Sequence, residues 1–450
     1  MAMTTANPET RHPTRRQFLT ATAVTVAAPW VVPASVLGGE NKPAPSERIS
    51  LGIIGVNGMG SANLANCAAH PDVVVTAICD VSAARREAAV ARHQATAKGH
   101  TDFRELLARA DVDAVIIAAP PHWHALMAIE AVKAGKDIYL QKPMTLYPAE
   151  TLAVRNAVNR HQRISQVGTQ IHAGQNYRNA VAWVRSGRLG PIPMIRTLNV
   201  MNQGPNGIGT APSQPPPADL DWDRWCGPAP AVPFNALLFA DSYHHCSFMD
   251  YSGGWTPGMA PHIIDLPIWA LDLGLPVRTY SRGGRFVVKG DGDAPDIQEV
   301  IWEYPETTMT WMMSLCNSFA FDFGRGTPAR RLGIYFHGLN GTLIADYNRC
   351  EVVPEGPMLK DTAPPASDIP PSPGHEREWL DCIKSRRQPS CSVNYHYRID
   401  LALTVANLSM RLGRALRLDP ATGAILDDPQ AAESARPIYR SPWKFPAEYL

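Results

Sequence analysis

The sequence contains no block of lysine and arginine. Its 42 basic and 41 acidic side chains leave a net charge of +1, so the electrostatic footprint of a nucleic-acid partner is missing. The eight cysteines (Cys67, Cys79, Cys226, Cys246, Cys316, Cys350, Cys382, Cys391) include no C-x-x-C pair, which removes the usual signature of a zinc ribbon or a thioredoxin-like site. Cys67 and Cys79 fall in apolar patterns as buried thiols, and spacing leaves a Cys382–Cys391 pairing open. No H-x-x-x-H or H-E-x-x-H string is present, so no metal site is expected. Beyond the N-terminus no stretch reaches the apolar length of a membrane span. What remains, 450 residues that are 45% hydrophobic with 41 prolines, suits two globular domains with many rigid loops.

Residues 1–45 do not read as part of a fold. Arg15 and Arg16 precede Gln17, Phe18 and Leu19, and a weakly apolar run broken by Pro29 and Pro33 continues to Leu37. Charged, then apolar, then small is the order of a secretion signal. The string Thr14–Leu19 resembles a twin-arginine signal, and the run is short and proline-broken for a membrane anchor. The expectation is an exported, periplasmic protein whose partners include the twin-arginine machinery and which has no stable membrane span.

Residues 46–170 carry the pattern of a doubly wound parallel sheet. The buried run Ile49–Ile54 leads into Gly55, Val56, Asn57, Gly58, Met59 and Gly60, then into an Ala-rich helix. Strand, glycine turn and helix N-terminus form a pyrophosphate cradle, where backbone N–H groups meet phosphate without a Cβ in the way. A second run, Val73–Cys79, ends in Asp80, about 20 residues beyond the cradle, where an acidic side chain would accept from ribose hydroxyls. Asp80 favours NAD over NADP, while Arg85 and Arg86 keep NADP open. A third run, Ala114–Ala119, delivers Pro120, Pro121, His122, Trp123 and His124, and a fourth, Asp137–Leu140, delivers Gln141, Lys142 and Pro143. Ligands bind beyond the carboxyl ends of parallel strands, so these loops are expected to line one crevice.

Taken together, Gly55–Gly60, Pro120–His124, and Ala134-Gly135-Lys136-Asp137 leading to Gln141-Lys142-Pro143 resemble the glucose-fructose oxidoreductase and inositol dehydrogenase family, Gfo/Idh/MocA. Gln166–Gln170 and Arg440–Trp443 extend the likeness over nearly everything after residue 48. The resemblance implies that Lys142 sits beside the nicotinamide and the substrate hydroxyl. Gln141 departs from the family's glutamate.

Residues 171–450 change period. Met194–Met201, Thr279–Lys289, Ile297–Tyr304, Thr308–Cys316, Arg331–His337 and Thr342–Tyr347 read as strands of a mainly antiparallel sheet. The resemblance implies a large open sheet, covered by helices on one face and used in homo-oligomer contacts, with C-terminal helices packing back on the first domain. The Gly/Pro-rich insertion 202–233 reads as a lid, a binding loop or a disordered segment. From Pro261 a helical pattern places His262 and Asp265 three apart at its first turn. Relatives carry a histidine matching His262, suited to proton transfer near neutrality. They also place an aspartate where Gly258 stands, so Asp265 is the candidate to orient His262, its alternative being a helix cap. Gln170, His172, Tyr243, His244, His245 and Trp255 are candidate substrate contacts. Trp222, Trp225 and Tyr251 suit either a pyranose face or the core.

Three functions fit these residues. One is NAD(P)-dependent oxidation of a secondary hydroxyl on a sugar, glycoside or cyclitol, with Lys142, His262 and Asp265 managing the proton. Another is redox-neutral glycoside cleavage on bound NAD, which export of a preloaded, tightly held cofactor favours. The third is a sugar-binding protein without catalysis.

Overall fold

The computed structural model describes residues 43–320 and 331–450. Residues Ile49–Leu450 form one compact unit. The arginine pair and the apolar run that suggested export lie outside the described residues. Among the described residues, no helix is long and apolar enough to cross a membrane.

Six strands form the first sheet: β1 (Ile49–Ile54), β2 (Val73–Cys79), β3 (Lys98–His100), β4 (Ala114–Ile117), β5 (Asp137–Leu140) and β6 (Ser165–Val167). Their order is β3-β2-β1-β4-β5-β6, with every pairing parallel, which is the doubly wound arrangement. β4 and β5 are buried along their whole length, as continuous apolar runs covered on both faces must be. The connecting helices are α1 (Met59–Ala68), α2 (Ala83–Arg92), α3 (Phe103–Leu107), α4 (His124–Lys133) and α5 (Pro148–His161). Ser82 and Asp102 cap α2 and α3 with their side-chain oxygens, satisfying N–H groups that a helix start leaves free.

The second sheet has nine strands: β7 (Met194–Val200), β8 (Arg278–Gly284), β9 (Ile297–Glu303), β10 (Thr308–Ser314), β11 (Leu332–His337), β12 (Gly341–Ala345), β13 (Cys350–Pro354), β14 (Leu416–Leu418) and β15 (Ile425–Leu426). Their order is β13-β12-β11-β7-β10-β9-β8-β14-β15. Only β7 and β10 pair parallel, so the sheet is mainly antiparallel, as expected from the period. Val300 and Trp302 on β9 and Met309, Trp311 and Met313 on β10 all face one core. There they meet the helices α6 (Gln175–Arg185), α7 (Trp255–Ala270) and α9 (Val393–Leu412). Trp302 donates to the carbonyl of Ala402 at 3.0 Å, and Trp311 donates to Thr256 Oγ1 at 3.0 Å. These two fully buried indoles join sheet to helices. Truncating either to alanine costs about 3–5 kcal/mol.

Helix α8 (His375–Ser385) packs back on the first sheet. Arg377 grips Asp72 at the start of β2 through both guanidinium nitrogens, at 2.9 and 3.1 Å, and Lys384 joins them. Burial alone would raise the Asp72 pKa, but the two cations outweigh it and hold the carboxyl well below the usual range. A depressed carboxyl stabilises the fold at neutral pH and loses that contribution as pH falls below the ordinary carboxylate range. Asp72→Asn is expected to lower stability by about 1–3 kcal/mol at pH 7, and to flatten the acid side of a melting-temperature profile by calorimetry.

Candidate functional site

A cleft of about 1350 Å³, open to solvent, lies across the carboxyl ends of β1, β2, β4 and β5. The glycine turn forms its floor. Gly55 has φ +89°, and a Cβ there would sit 2.6 Å from the carbonyl oxygen of Ala118; a Cβ on Gly60 would sit 2.1 Å from that of Gly55. At Gly58, with φ +49°, a Cβ would meet no atom within 4 Å. The turn is therefore tight on its protein side and bare on its cleft side, the shape that lets a phosphate approach backbone N–H groups.

Asp80 closes the turn's far end. Its Oδ2 accepts from the N–H of Val56 at 3.0 Å and its Oδ1 from that of Ser82 at 2.9 Å. Both arginines that left a phosphorylated ribose open have protein partners beside the cleft, which Arg85 also lines. Arg86 donates to the carbonyl of Asp80 at 2.9 Å. Arg85 donates to the carbonyl of Phe239 at 3.3 Å, with its guanidinium 3.9 Å from that ring's centroid.

Of the expected nucleotide-contacting residues, Gly55, Asn57, Gly58, Met59, Gly60, Asp80, Pro120, Trp123, His124, Gln141 and Lys142 all line this cleft. His122 does not. Its Nε2 lies 2.9 Å from the carbonyl of Trp225 and its ring is edge-on to Tyr251. Burial pushes its pKa down to about 3, so it is a neutral packing residue. His124 is spent structurally, its ring bridging the carbonyls of Ala119 and Pro143 at 2.7 Å each.

Lys142 donates from Nζ to the carbonyl oxygen of Gly258 at 2.8 Å. Burial lowers its pKa, opposed only by nearby Cys246, because a desolvated ammonium facing no carboxylate is disfavoured. His262 sits close enough to share this electrostatics: burial, then the charge of Lys142, holds its pKa well below the ordinary imidazole value. Its Nδ1 is buried without a partner. His262 does not line the cleft wall; it lies behind, on α7.

The expected pairing of Asp265 with His262 is not what forms. Asp265 accepts from His172 Nδ1 at 2.9 Å and from Tyr395 Oη at 2.5 Å, with no solvent exposure. Burial opposes the charge on each, yet the pair holds His172 as a cation and Asp265 as an anion. Helix α7 starts at Trp255 and runs through Pro261 and Pro267, so Asp265 lies mid-helix and is not a cap, and its carboxylate is taken by His172 and Tyr395 from outside the helix.

His172 consequently leaves the substrate set, its ring stacked on Trp269 at 3.8 Å. Trp255 is core, 3% exposed, with Tyr243 edge-on to it at 5.1 Å. His244 pairs with Asp241 at 2.9 Å. Neither Tyr243 nor His244 lines the cleft, nor does Gln170, whose Oε1 is buried without a partner. His245 does line it.

The insertion read as a lid or binding loop forms a strap across the cleft, and of its cleft residues sequence reasoning named Trp225 but not Arg224, Leu238, Phe239 or Ser242. Leu220 bridges to Ser82, Asp219 accepts from Ser82 Oγ at 3.0 Å and from the N–H of Ala84 at 3.2 Å, and the N–H of Ala83 donates to the Asp219 carbonyl at 2.8 Å. From this strap Arg224, Trp225, Leu238, Phe239 and Ser242 reach the cleft. No local motif marks them; they arrive from an insertion that has only short helical turns. The wall residue Trp123 is backed by Gly227, where a Cβ would come within 2.2 Å of its ring, and by Trp443 at 4.7 Å. Arg440 ties the same corner, donating to the carbonyl of Gly227 at 3.0 Å and pairing with Asp223 at 2.6 Å. All eight cysteines are free, Cys382 and Cys391 included.

Residues 49–169 match the Gfo/Idh/MocA family model, an oxidoreductase family with an NAD-binding Rossmann fold. An inositol 2-dehydrogenase of Salmonella paratyphi B is 30% identical over 149 residues, 33% of this chain and 44% of that protein. A glycosyl hydrolase family 109 protein of Saccharopolyspora erythraea is 41% identical over 105 residues, 22% of this chain and 23% of that protein. The chain thus spans less than half the length of these curated relatives. A levoglucosan dehydrogenase solved with NADH and levoglucosan superposes with TM-score 0.60 at 18% identity, covering 82% of this chain and 99% of that one. It shares the fold.

Gly60→Ala is expected to weaken NADH binding by at least about tenfold, because its Cβ drives into the turn's own backbone. Gly58→Ala is expected to weaken binding as well, because its Cβ takes the bare space on the cleft side and its φ of +49° strains any side chain. Tryptophan fluorescence quenching on titration with NADH measures both.

Proposed function

We propose that this chain is a Gfo/Idh/MocA oxidoreductase that binds NAD in the cleft and oxidises a secondary hydroxyl of a sugar, glycoside or cyclitol. One observation carries the reading: a half-buried lysine, Lys142, bonded to a backbone carbonyl and facing no carboxylate, stands on the same cleft as a bare glycine turn and Asp80. The glycine turn would hold the pyrophosphate, Asp80 the ribose hydroxyls, and Lys142 the substrate oxygen. The nicotinamide supplies a hydride acceptor when bound. Lys142 takes the hydroxyl proton at Nζ; the Gly258 carbonyl accepts one N–H and leaves the amine lone pair free for it. His262 stands behind Lys142, off the cleft wall, and acts on the lysine rather than on the substrate. The strap excludes water along the cleft's outer side.

With both arginines engaged, NAD is favoured over NADP, and isothermal titration is expected to show NADH binding more than about tenfold tighter than NADPH. Oxidation of myo-inositol, levoglucosan or a related polyol is expected to speed up as pH rises, with a midpoint below the ordinary lysine value of 10.5. Lys142→Ala is expected to cost about 10²–10⁴-fold in turnover. A protein that neither contains nor binds NAD(H) would overturn the assignment.

The strap supports a second reading, redox-neutral glycoside cleavage, because a nucleotide held under Trp225 and Phe239 would exchange slowly. Hydride would be removed and returned in one binding event, with net addition of water. Release of nitrophenol from nitrophenyl glycosides without net change in NADH absorbance distinguishes it. Export by the twin-arginine route and a homo-oligomer built on the second sheet, where exposed Tyr280 and Ile301 pair on neighbouring strands, complete the proposal. Periplasmic fractionation and light scattering test these.

A further inference from the structure

A hydrogen-bond chain runs from helix α8 to the backbone of Lys142. Glu376 Oε1 accepts from Asn63 Nδ2 at 2.9 Å and from Asn66 Nδ2 at 3.2 Å. Asn63 Nδ2 also donates to Tyr139 Oη at 3.2 Å, and Asn63 Oδ1 accepts from Gln141 Nε2 at 2.6 Å. Gln141 Oε1 then accepts from the N–H of Lys142 at 3.2 Å. Asn63 and Gln141 are 1% and 3% exposed, so water cannot substitute for a wrong partner.

The polarity of every link follows from the first. A carboxylate only accepts, so Asn63 must offer its amide N–H to Glu376 and turn its oxygen to Gln141. Gln141 must then donate to Asn63 and turn its own oxygen to Lys142. A glutamate at 141 would have no proton to give, and Asn63 could satisfy it only by presenting an oxygen to Glu376. Gly168 makes room for this arrangement, since a Cβ there would lie 2.7 Å from Gln141 Nε2.

We propose that Gln141 is a positioning residue for Lys142 and that Glu376, acting through Asn63, sets its orientation and so fixes how the lysine is presented to the cleft. The inference rests on the reading of Lys142 as the proton-handling group, but its test does not require turnover.

The measurement is the rate at which acetic anhydride labels Lys142, read by peptide mass spectrometry across pH and compared with exposed lysines of the same chain. It yields a midpoint, set by protonation, and a plateau, set by how firmly the side chain is held. Gln141→Glu is expected to raise the plateau by about 2- to 10-fold, the change in opening equilibrium for one net hydrogen bond. Glu376→Gln combined with Gln141→Glu lets the chain run in the opposite sense, and the plateau is expected to return to within about twofold of the parent. The midpoint stays raised in the double variant because the new carboxylate is still beside the lysine.

Glu376→Ala, which touches no cleft residue, is expected to raise the plateau as well, and Glu376→Gln alone, which keeps an acceptor, to spare it. These two serve if Gln141→Glu fails to fold. An unchanged plateau in Gln141→Glu and Glu376→Ala, or no recovery in the double variant, overturns the inference. A purely structural contact would lower the melting temperature without moving the plateau. NADH titration of the parent tests the underlying reading separately.

Discussion

Lys142 reaches from the end of β5 to a backbone carbonyl of α7, and this bond joins the nucleotide half of the cleft to the helix carrying His262. The partner is main chain because residue 258 is glycine, and the space its side chain would fill is taken by Cys246, whose sulfur would lie 2.8 Å from a Cβ there. A carboxylate at that place would hold the lysine charged; a carbonyl in a desolvated pocket does the reverse. The loop that presents the lysine is tied from other sides too. Asp400 accepts from the N–H of Met144 at 2.8 Å, and His124 holds the carbonyl of Pro143.

Much of the first sheet was legible from sequence because its strands are buried on both faces and read as continuous apolar runs ended by glycine, proline or a polar ligand. The glycine turn, Asp80 and Lys142 were legible for the same reason, each following a strand end. The second sheet was legible from its alternation, apart from short or exposed strands such as Cys350–Pro354. Helix α7 was started too late, at Pro261, because proline suits a helix's first turn. In the structure Pro257 falls in its first turn, and α7 simply continues through Pro261. The partner Asp265 takes is His172, 93 residues away, which no local spacing could show. His122 failed for a related reason: a loop ligand and a core histidine look alike until the insertion that buries one is folded over it.

The insertion itself shows how one loop can serve both readings of function. Its contacts with Ser82, Ala83 and Ala84 lie on the first turn of α2, just past Asp80, so the strap and the ribose site share their anchor. Opening the strap would break the hydrogen bonds it makes to Ser82, Ala83 and Ala84. A hydride acceptor that stays through many turnovers suits an internally balanced reaction, whereas a dehydrogenase working on free NAD needs the strap to open every cycle.

Trp443 and Arg440 give the chain's final stretch a stake in ligand capture. They touch no ligand position, yet they buttress Trp123 and the glycine corner behind it, so the cleft's wall is completed only when the C-terminal residues have docked. A wall built by residues so far apart in sequence is a tertiary product, so the first sheet folded by itself would leave Trp123 without its backing.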